Sequence, residues 1–177
     1  MWTLRGRRYT IALAAQMKSE IENVRIISAD LPRLVAEARA LFMEYASGLG
    51  VDLCFQSFDE ELAALPGEYK PPQGALFLAR WKSDLAGCVA LRKIDGEAGE
   101  MKRLYVRPAF RGKMIGRALA LAAIEAARTI GYQRLLLDTL PAMIEAQSLY
   151  TALGFREIQP YRHNPVPGSR FLELALH

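Results

Sequence analysis

The chain has 177 residues, 51% hydrophobic and 24% charged; this suits one domain with a sizeable core and excludes a disordered chain. With 13 glycines and 9 prolines it is neither collagen-like nor of low complexity, and no apolar run reaches the ~20 residues of a membrane-spanning helix. The net charge of +4 is concentrated at the start, where Arg5, Arg7 and Arg8 stand among sixteen residues without an acid. The rest is nearly balanced, with no basic stripe of the kind that neutralises nucleic-acid phosphates.

Residues 1–16 read as a separate piece. Their basic start and the apolar run Tyr9–Ala15 follow the order of an export signal, but the run is short and Thr10 interrupts it. Met17 opens a polar segment that looks like a second start, so 1–16 is read as an extension and 17–177 as a single domain. Cys54 and Cys88 permit at most one disulfide and nothing requires it. A soluble cytoplasmic protein is the expectation.

Val24–Ser28 alternates enough for a first strand. Asp30 and Pro32 then signal a helix whose face is Leu34, Val35, Ala38, Leu41, Phe42 and Tyr45, ended by Gly48 and Gly50. Ser57 and Glu60 have capping-box spacing for a short helix that stops before Pro66-Gly67. Three strands follow, Ala75–Trp81, Ala86–Ile94 and Glu100–Val106, with turns at Ser83-Asp84 and Asp95-Gly96, so antiparallel hairpins are expected.

After Pro108 the period changes. Ile115, Leu119, Ala122, Ala126 and Ile130 predict a long helix closed by Gly131, and Leu135–Leu137 a strand covered on both faces. Pro141 opens another helix, with Ala146, Leu149, Tyr150 and Leu153, stopped by Gly154. Phe155–Ile158 and Phe171–Leu176 are the last strands, joined by the loop Gln159–Arg170. The order β-α-α-β-β-β-α-β-α-β-β is an α/β arrangement around a mixed, mainly antiparallel sheet, with a crossover helix after the fourth strand.

Chemistry concentrates in the strand–turn–helix stretch Val106-Arg107-Pro108-Ala109-Phe110-Arg111-Gly112-Lys113-Met114-Ile115-Gly116-Arg117-Ala118. The first N–H groups of a helix lack intrahelical partners and sit at the positive end of its dipole, which suits phosphate oxygens. Gly116 costs about 1 kcal/mol relative to Ala within a helix, a cost that makes sense if something approaches its backbone closely. Arg111, Lys113 and Arg117 add positive charge. A nucleoside-triphosphate loop is not supported, because no Gly-Lys-Ser/Thr ending is present.

Residues 98–158 resemble the GNAT superfamily of N-acetyltransferases. Its pyrophosphate motif, Arg/Gln-x-x-Gly-x-Gly/Ala, reads here Arg111-Gly112-Lys113-Met114-Ile115-Gly116. Its second signature follows as Ala146-Gln147-Ser148-Leu149-Tyr150-Thr151-Ala152-Leu153-Gly154-Phe155. Two positions depart from the family: Met114 stands at the first glycine, and Met143 replaces an asparagine often found seven residues before the tyrosine. The resemblance implies a GNAT fold that binds acetyl-CoA, transfers its acetyl group directly to a primary amine and releases coenzyme A.

By the same resemblance, Arg111, Gly112, Lys113, Met114, Ile115, Gly116, Arg117 and Ala118 would hold the pyrophosphate. The strand residues Leu104, Tyr105 and Val106 would bind the pantetheine arm and the acetyl carbonyl through main-chain N–H groups. Tyr150 matches the tyrosine that protonates the departing thiolate, a role that suits a phenol with a reference pKa of ~10. Glu100 stands where some members carry a general base, or else is a solvated residue opening a strand.

For the acceptor, Arg103, Arg162, His163 and Asn164 form either a cationic rim for an amine bearing a carboxylate or ordinary surface polarity. A small-molecule amine is expected first and a protein or peptide amine second, with a non-catalytic acyl-CoA sensor as the reading from another class. A loop Gln159–Arg170 that narrows the cleft would favour the small molecule. The two histidines, His163 and His177, have no metal-ligand spacing, so no metal is expected, nor nucleic acid or membrane. Such folds commonly pair as homodimers, though no residue here marks an interface.

Overall fold

The computed structural model describes residues 23–50 and 57–176. The basic start, Met17 and Cys54 lie outside them, as does His177. Seven strands form one sheet: β1 (Val24–Ser28), β2 (Ala75–Trp81), β3 (Asp84–Lys93), β4 (Ala98–Val106), β5 (Arg134–Thr139), β6 (Arg156–Ile158) and β7 (Arg170–Ala175). Their spatial order is β1-β2-β3-β4-β5-β7-β6. Every neighbouring pair is antiparallel except β4 and β5. The mixed, mainly antiparallel arrangement expected from the sequence is therefore the one observed.

Among the described residues four α-helices cover the sheet: α1 (Pro32–Leu49), α2 (Phe58–Ala64), α3 (Ile115–Ile130) and α4 (Ile144–Ala152). Strand alternation sorts side chains between two cores. Leu76, Leu78, Cys88 and Ala90 pack under Leu34, Leu41 and Phe42 of α1. Val89, Leu91, Met101, Leu135 and Leu137 pack under Leu119 and Ile124 of α3, with Tyr150 of α4. Cys88 is a buried free thiol.

The helix stops follow the sequence signals. Gly50 and Gly131 cap α1 and α3 at φ 66° and 98°, a left-handed geometry that glycine adopts without a Cβ clash. Three local expectations need correction. Ser57 sits at the α2 N-cap with φ 51° and makes no side-chain cap bond, because a capping hydroxyl reaches the helix from an extended backbone. The buried stripe of α3 is Ile115, Leu119, Ala120, Ala123, Ile124 and Ala127, rotated by about one residue from the alternation through Ala122, Ala126 and Ile130. Finally, α4 begins at Ile144, since Pro141 lies in a preceding turn that the Met143 N–H closes onto the Leu140 carbonyl at 3.0 Å. Among the described residues no helix is long and apolar enough to cross a membrane.

Candidate active site

The site is built where β4 and β5 part. Their parallel ladder covers only Ala98↔Arg134, Gly99↔Leu135 and Glu100↔Leu136. Beyond Glu100, β4 continues on β3 alone and β5 on β7 alone. A bulge lies at the same place: Cys88 faces Tyr105 but Ala90 faces Lys102, so β4 carries one extra residue, and Arg103 takes φ 56°. Such a bulge bends its strand and steepens the local twist. The parting opens a cleft lined by Tyr45 and Leu49 of α1, Met101 to Leu104 of β4, Asp138 to Leu140, Met143, and Tyr150 of α4.

The N-terminus of α3 packs at the end of β4, where Gly116 faces Val106 of β4 and Leu149 of α4. Met114 is its N-cap at φ 60° and no side chain caps the helix. The first bond of the turn is Ala118 N–H to Met114 O at 3.0 Å, so the main-chain N–H groups ahead of it are left to outside acceptors. The left-handed conformation explains the glycine preference at this position: a residue with a Cβ holds it at a cost of roughly 1–2 kcal/mol. Gly112 is left-handed too, at φ 75°.

Gly116 is different. Its backbone is ordinary helix, and a Cβ there would meet only Leu149 Cδ2 and Val106 Cγ2, both at 3.7 Å. The fold itself therefore does not require glycine at 116. Around the turn, Lys113 Nζ lies 4.8 Å from the Trp81 ring centroid and Arg111 Nε donates to Val106 O at 3.3 Å. Arg117 and Ala118 are half-buried in the first turn.

Tyr150 is 5% exposed and its ring centroid stands 5.7 Å from that of Phe155. Burial pushes its phenol well above the ordinary range, with the charges of Tyr45 and Asp138 adding to the effect. It therefore stays protonated at any physiological pH. Of the strand residues expected beside it, Leu104 lines the cleft. Val106 packs towards Gly116, and Tyr105 turns to the α1 face, where its ring meets that of Tyr45 edge-on at 6.1 Å.

The other side of the cleft is a network of charges. Glu100 is fully buried and does not line the cleft. Arg92 Nε donates to its Oε2 at 2.8 Å and the Tyr161 hydroxyl to its Oε1 at 2.7 Å, with Arg162 3.3 Å away. A solvated strand-start residue is thus excluded, and both oxygens already have donors. Burial, reinforced by the Glu100 charge, pushes the Tyr161 phenol far up.

The residues expected to form a cationic rim divide among three places. Arg162 and Asn164 meet at Asp138, the arginine through an ion pair and the amide at 2.8 Å. Arg103 turns away to Glu61 of α2, which it grips with Nε and Nη2, under the rings of Tyr45 and Phe58. His163 is exposed on the loop. An open cationic rim is therefore not what these side chains make: each buried guanidinium is matched by a carboxylate, as burial of charge demands.

Sequence reasoning passed over Lys102, Asp138, Thr139 and Tyr161. Lys102 is 6% exposed and lines the cleft beside the bulge. Burial lowers its pKa to about 8; Glu100 opposes this, and Arg162, Arg103 and Arg92 push the same way. Only the period-2 phase of β4, which puts Lys102 on the same face as Glu100, marked it in the sequence. Among the described residues no group of three His, Cys, Asp or Glu side chains is placed to hold a metal ion.

Comparison with known proteins agrees with this fold. The profile of the Acetyltransferase (GNAT) family matches residues 36–155. An N-acetyltransferase of Schizosaccharomyces pombe, itself uncharacterized, is 38% identical over 156 residues, covering 87% of this chain and 96% of that protein. The fold matches a GNAT-family acetyltransferase from Staphylococcus aureus with a TM-score of 0.72 at 21% identity, over 87% of this chain and 99% of the other. A GNAT-family acetyltransferase from Elizabethkingia anophelis, solved with acetyl-CoA bound, matches with a TM-score of 0.59 at 22% identity over the same shares.

Proposed function

The chain belongs to the GNAT family of acetyltransferases, and from that premise we propose that it moves the acetyl group of acetyl-CoA directly to the primary amine of a small molecule. The observation that carries the reading is the parting of β4 and β5, which opens a cleft lined by Lys102, Asp138 and Tyr150, with the uncapped N-terminus of α3 packed against Val106 at the end of β4.

The residues present fit acetyl-CoA. Pyrophosphate needs main-chain donors and a close approach, and the start of α3 offers both, with a glycine at 116 that packing alone would not demand. Arg111, Gly112, Lys113, Met114, Ile115, Gly116, Arg117 and Ala118 would hold the phosphates, with the β4 backbone through Leu104, Tyr105 and Val106 along the arm. Bound there, acetyl-CoA supplies an activated acetyl thioester.

The chain's own groups then divide the proton work. Tyr150 keeps its proton and presents it to the sulfur side of the cleft. Lys102 faces the acceptor side and takes a proton from the attacking nitrogen; its lowered pKa leaves a useful neutral fraction near pH 8. Glu100, which the sequence left open between a general base and a solvated residue, is the buried anchor that fixes Arg92, Tyr161 and Arg162 beside that lysine.

Support for a small acceptor comes from the loop between β6 and β7. Arg162 and Asn164 tie it to Asp138 and Tyr161 ties it to Glu100, which holds it against the cleft residue Asp138. A cytoplasmic location belongs to the same reading. The test is thiol release from acetyl-CoA over a panel of small amines and of peptides with free N-termini or lysines. Turnover with small amines and none with peptides is expected. Turnover with peptides alone overturns the acceptor class, and acetyl-CoA binding without turnover on either set supports a sensor.

A further inference from the structure

Two buried side-chain polar atoms among the described residues have no hydrogen-bond partner, Thr139 Oγ1 and Arg162 Nε. The arginine is already engaged through Nη2, which meets both Asp138 and Glu100. Thr139 has no such outlet. It is the last residue of β5, paired with Arg170 on β7, and is 3% exposed.

Thr139 lines the cleft together with Tyr150 and Met143. Along β5, Leu135 and Leu137 enter the core under α3, so alternation puts the Thr139 side chain on that same face, the side of Tyr150. A valine would fill the same volume in a strand without leaving a hydroxyl unbonded. Keeping the hydroxyl there costs the free protein stability, and that cost has a purpose only when something occupies the cleft.

We propose that the Thr139 hydroxyl is a binding group for the amide-bearing arm of the acyl carrier, donating a hydrogen bond to a carbonyl oxygen of that arm. This rests on the acetyl-CoA reading given above. The wall at this point is otherwise poor in donors: Met143 offers a thioether, and Leu140 an alkyl chain. Tyr150 must keep its proton for sulfur. A hydroxyl beside it fixes the arm without using the phenol, so Thr139 sets where the thioester stops relative to Tyr150.

The experiment compares wild type, Thr139→Val and Thr139→Ser by calorimetric titration with coenzyme A and with adenosine 3′,5′-bisphosphate, which lacks the arm. Thermal melts are recorded without ligand. Thr139→Val is expected to bind coenzyme A about tenfold more weakly, to bind the bisphosphate unchanged, and to melt at the same temperature as wild type or higher. Thr139→Ser keeps the donor and retains most of the affinity.

Unchanged coenzyme A affinity in the valine variant overturns the proposal, as does an equal loss for both ligands. A lower melting temperature in the free valine variant also overturns it, because the hydroxyl would then already be bonded within the fold. Failure of the acetyl-CoA reading looks different: wild type itself would bind neither ligand.

Discussion

The two sides of the cleft are made by different means. Towards α3 the structure uses main-chain donors, apolar walls and two hydroxyls, Tyr150 and Thr139. Towards α1 and the β6–β7 loop it uses matched charges: Arg92, Lys102 and Arg162 around Glu100 and Asp138, and Arg103 around Glu61. The first side depends on residues close in sequence, the turn 106–118 and the helix that carries Tyr150. The second depends on partners far apart, such as Tyr161 and Glu100, separated by 61 positions. A helix terminus is a fixed dipole that nearby residues cannot easily neutralise, whereas a buried ion network stands only while every member is present.

That contrast predicts different consequences for damage on each side. The largest effect on rate is expected at Tyr150. Tyr150→Phe removes the proton for the leaving sulfur and should lower kcat by about 10²–10⁴-fold, with coenzyme A affinity nearly unchanged in a titration. An equal loss of affinity would make Tyr150 part of the binding wall only.

Glu100→Gln should act mainly on stability. It leaves Arg92 and Arg162 against a neutral amide in a fully buried position, and breaking such a network costs about 3–5 kcal/mol. Denaturant unfolding should show that loss while coenzyme A affinity of the folded fraction holds. A variant as stable as wild type with an altered pH–rate profile would return Glu100 to the role of base.

The smallest effect tests Lys102 through pH. Its pKa is lowered to about 8 in the fold, so the neutral, proton-accepting form grows as pH rises through that value and activity should climb with it. Stability follows the same direction. Between about pH 8 and the unfolded value near 10.5, the unfolded chain holds the extra proton, so the folded state gains up to about 1.4 kcal/mol per pH unit. Lys102→Met should remove both slopes. A pH–rate profile unchanged by that substitution would place the base elsewhere.

Much of the fold was legible because its punctuation is local. Pro32, Gly131 and Gly154 mark helix boundaries through backbone constraints that no distant contact overrides. The strand–turn–helix of residues 106–118 was legible for the same reason. What failed was either a geometry the residue type does not dictate or a partner the sequence does not name. Ser57 and Glu60 have the letters of a capping box, but the left-handed backbone at Ser57 turns the cap off. Arg103 and Arg162 looked like open positive charge until the fold brought Glu61 and Asp138 against them. Thr139 gave no signal and Lys102 only the phase of its strand, since a lysine or a threonine in a strand is ordinary until two strands part beside it.

The central claim is that acetyl-CoA enters through the uncapped start of α3, and titration of wild type and Gly116→Glu with acetyl-CoA tests it most directly. A Cβ at 116 meets only ordinary contacts, so the variant should fold, while its carboxylate occupies and repels the phosphate position. One saturable site in wild type, weakened at least 100-fold in the folded variant, is the expected result. Equal binding by the two proteins would contradict it.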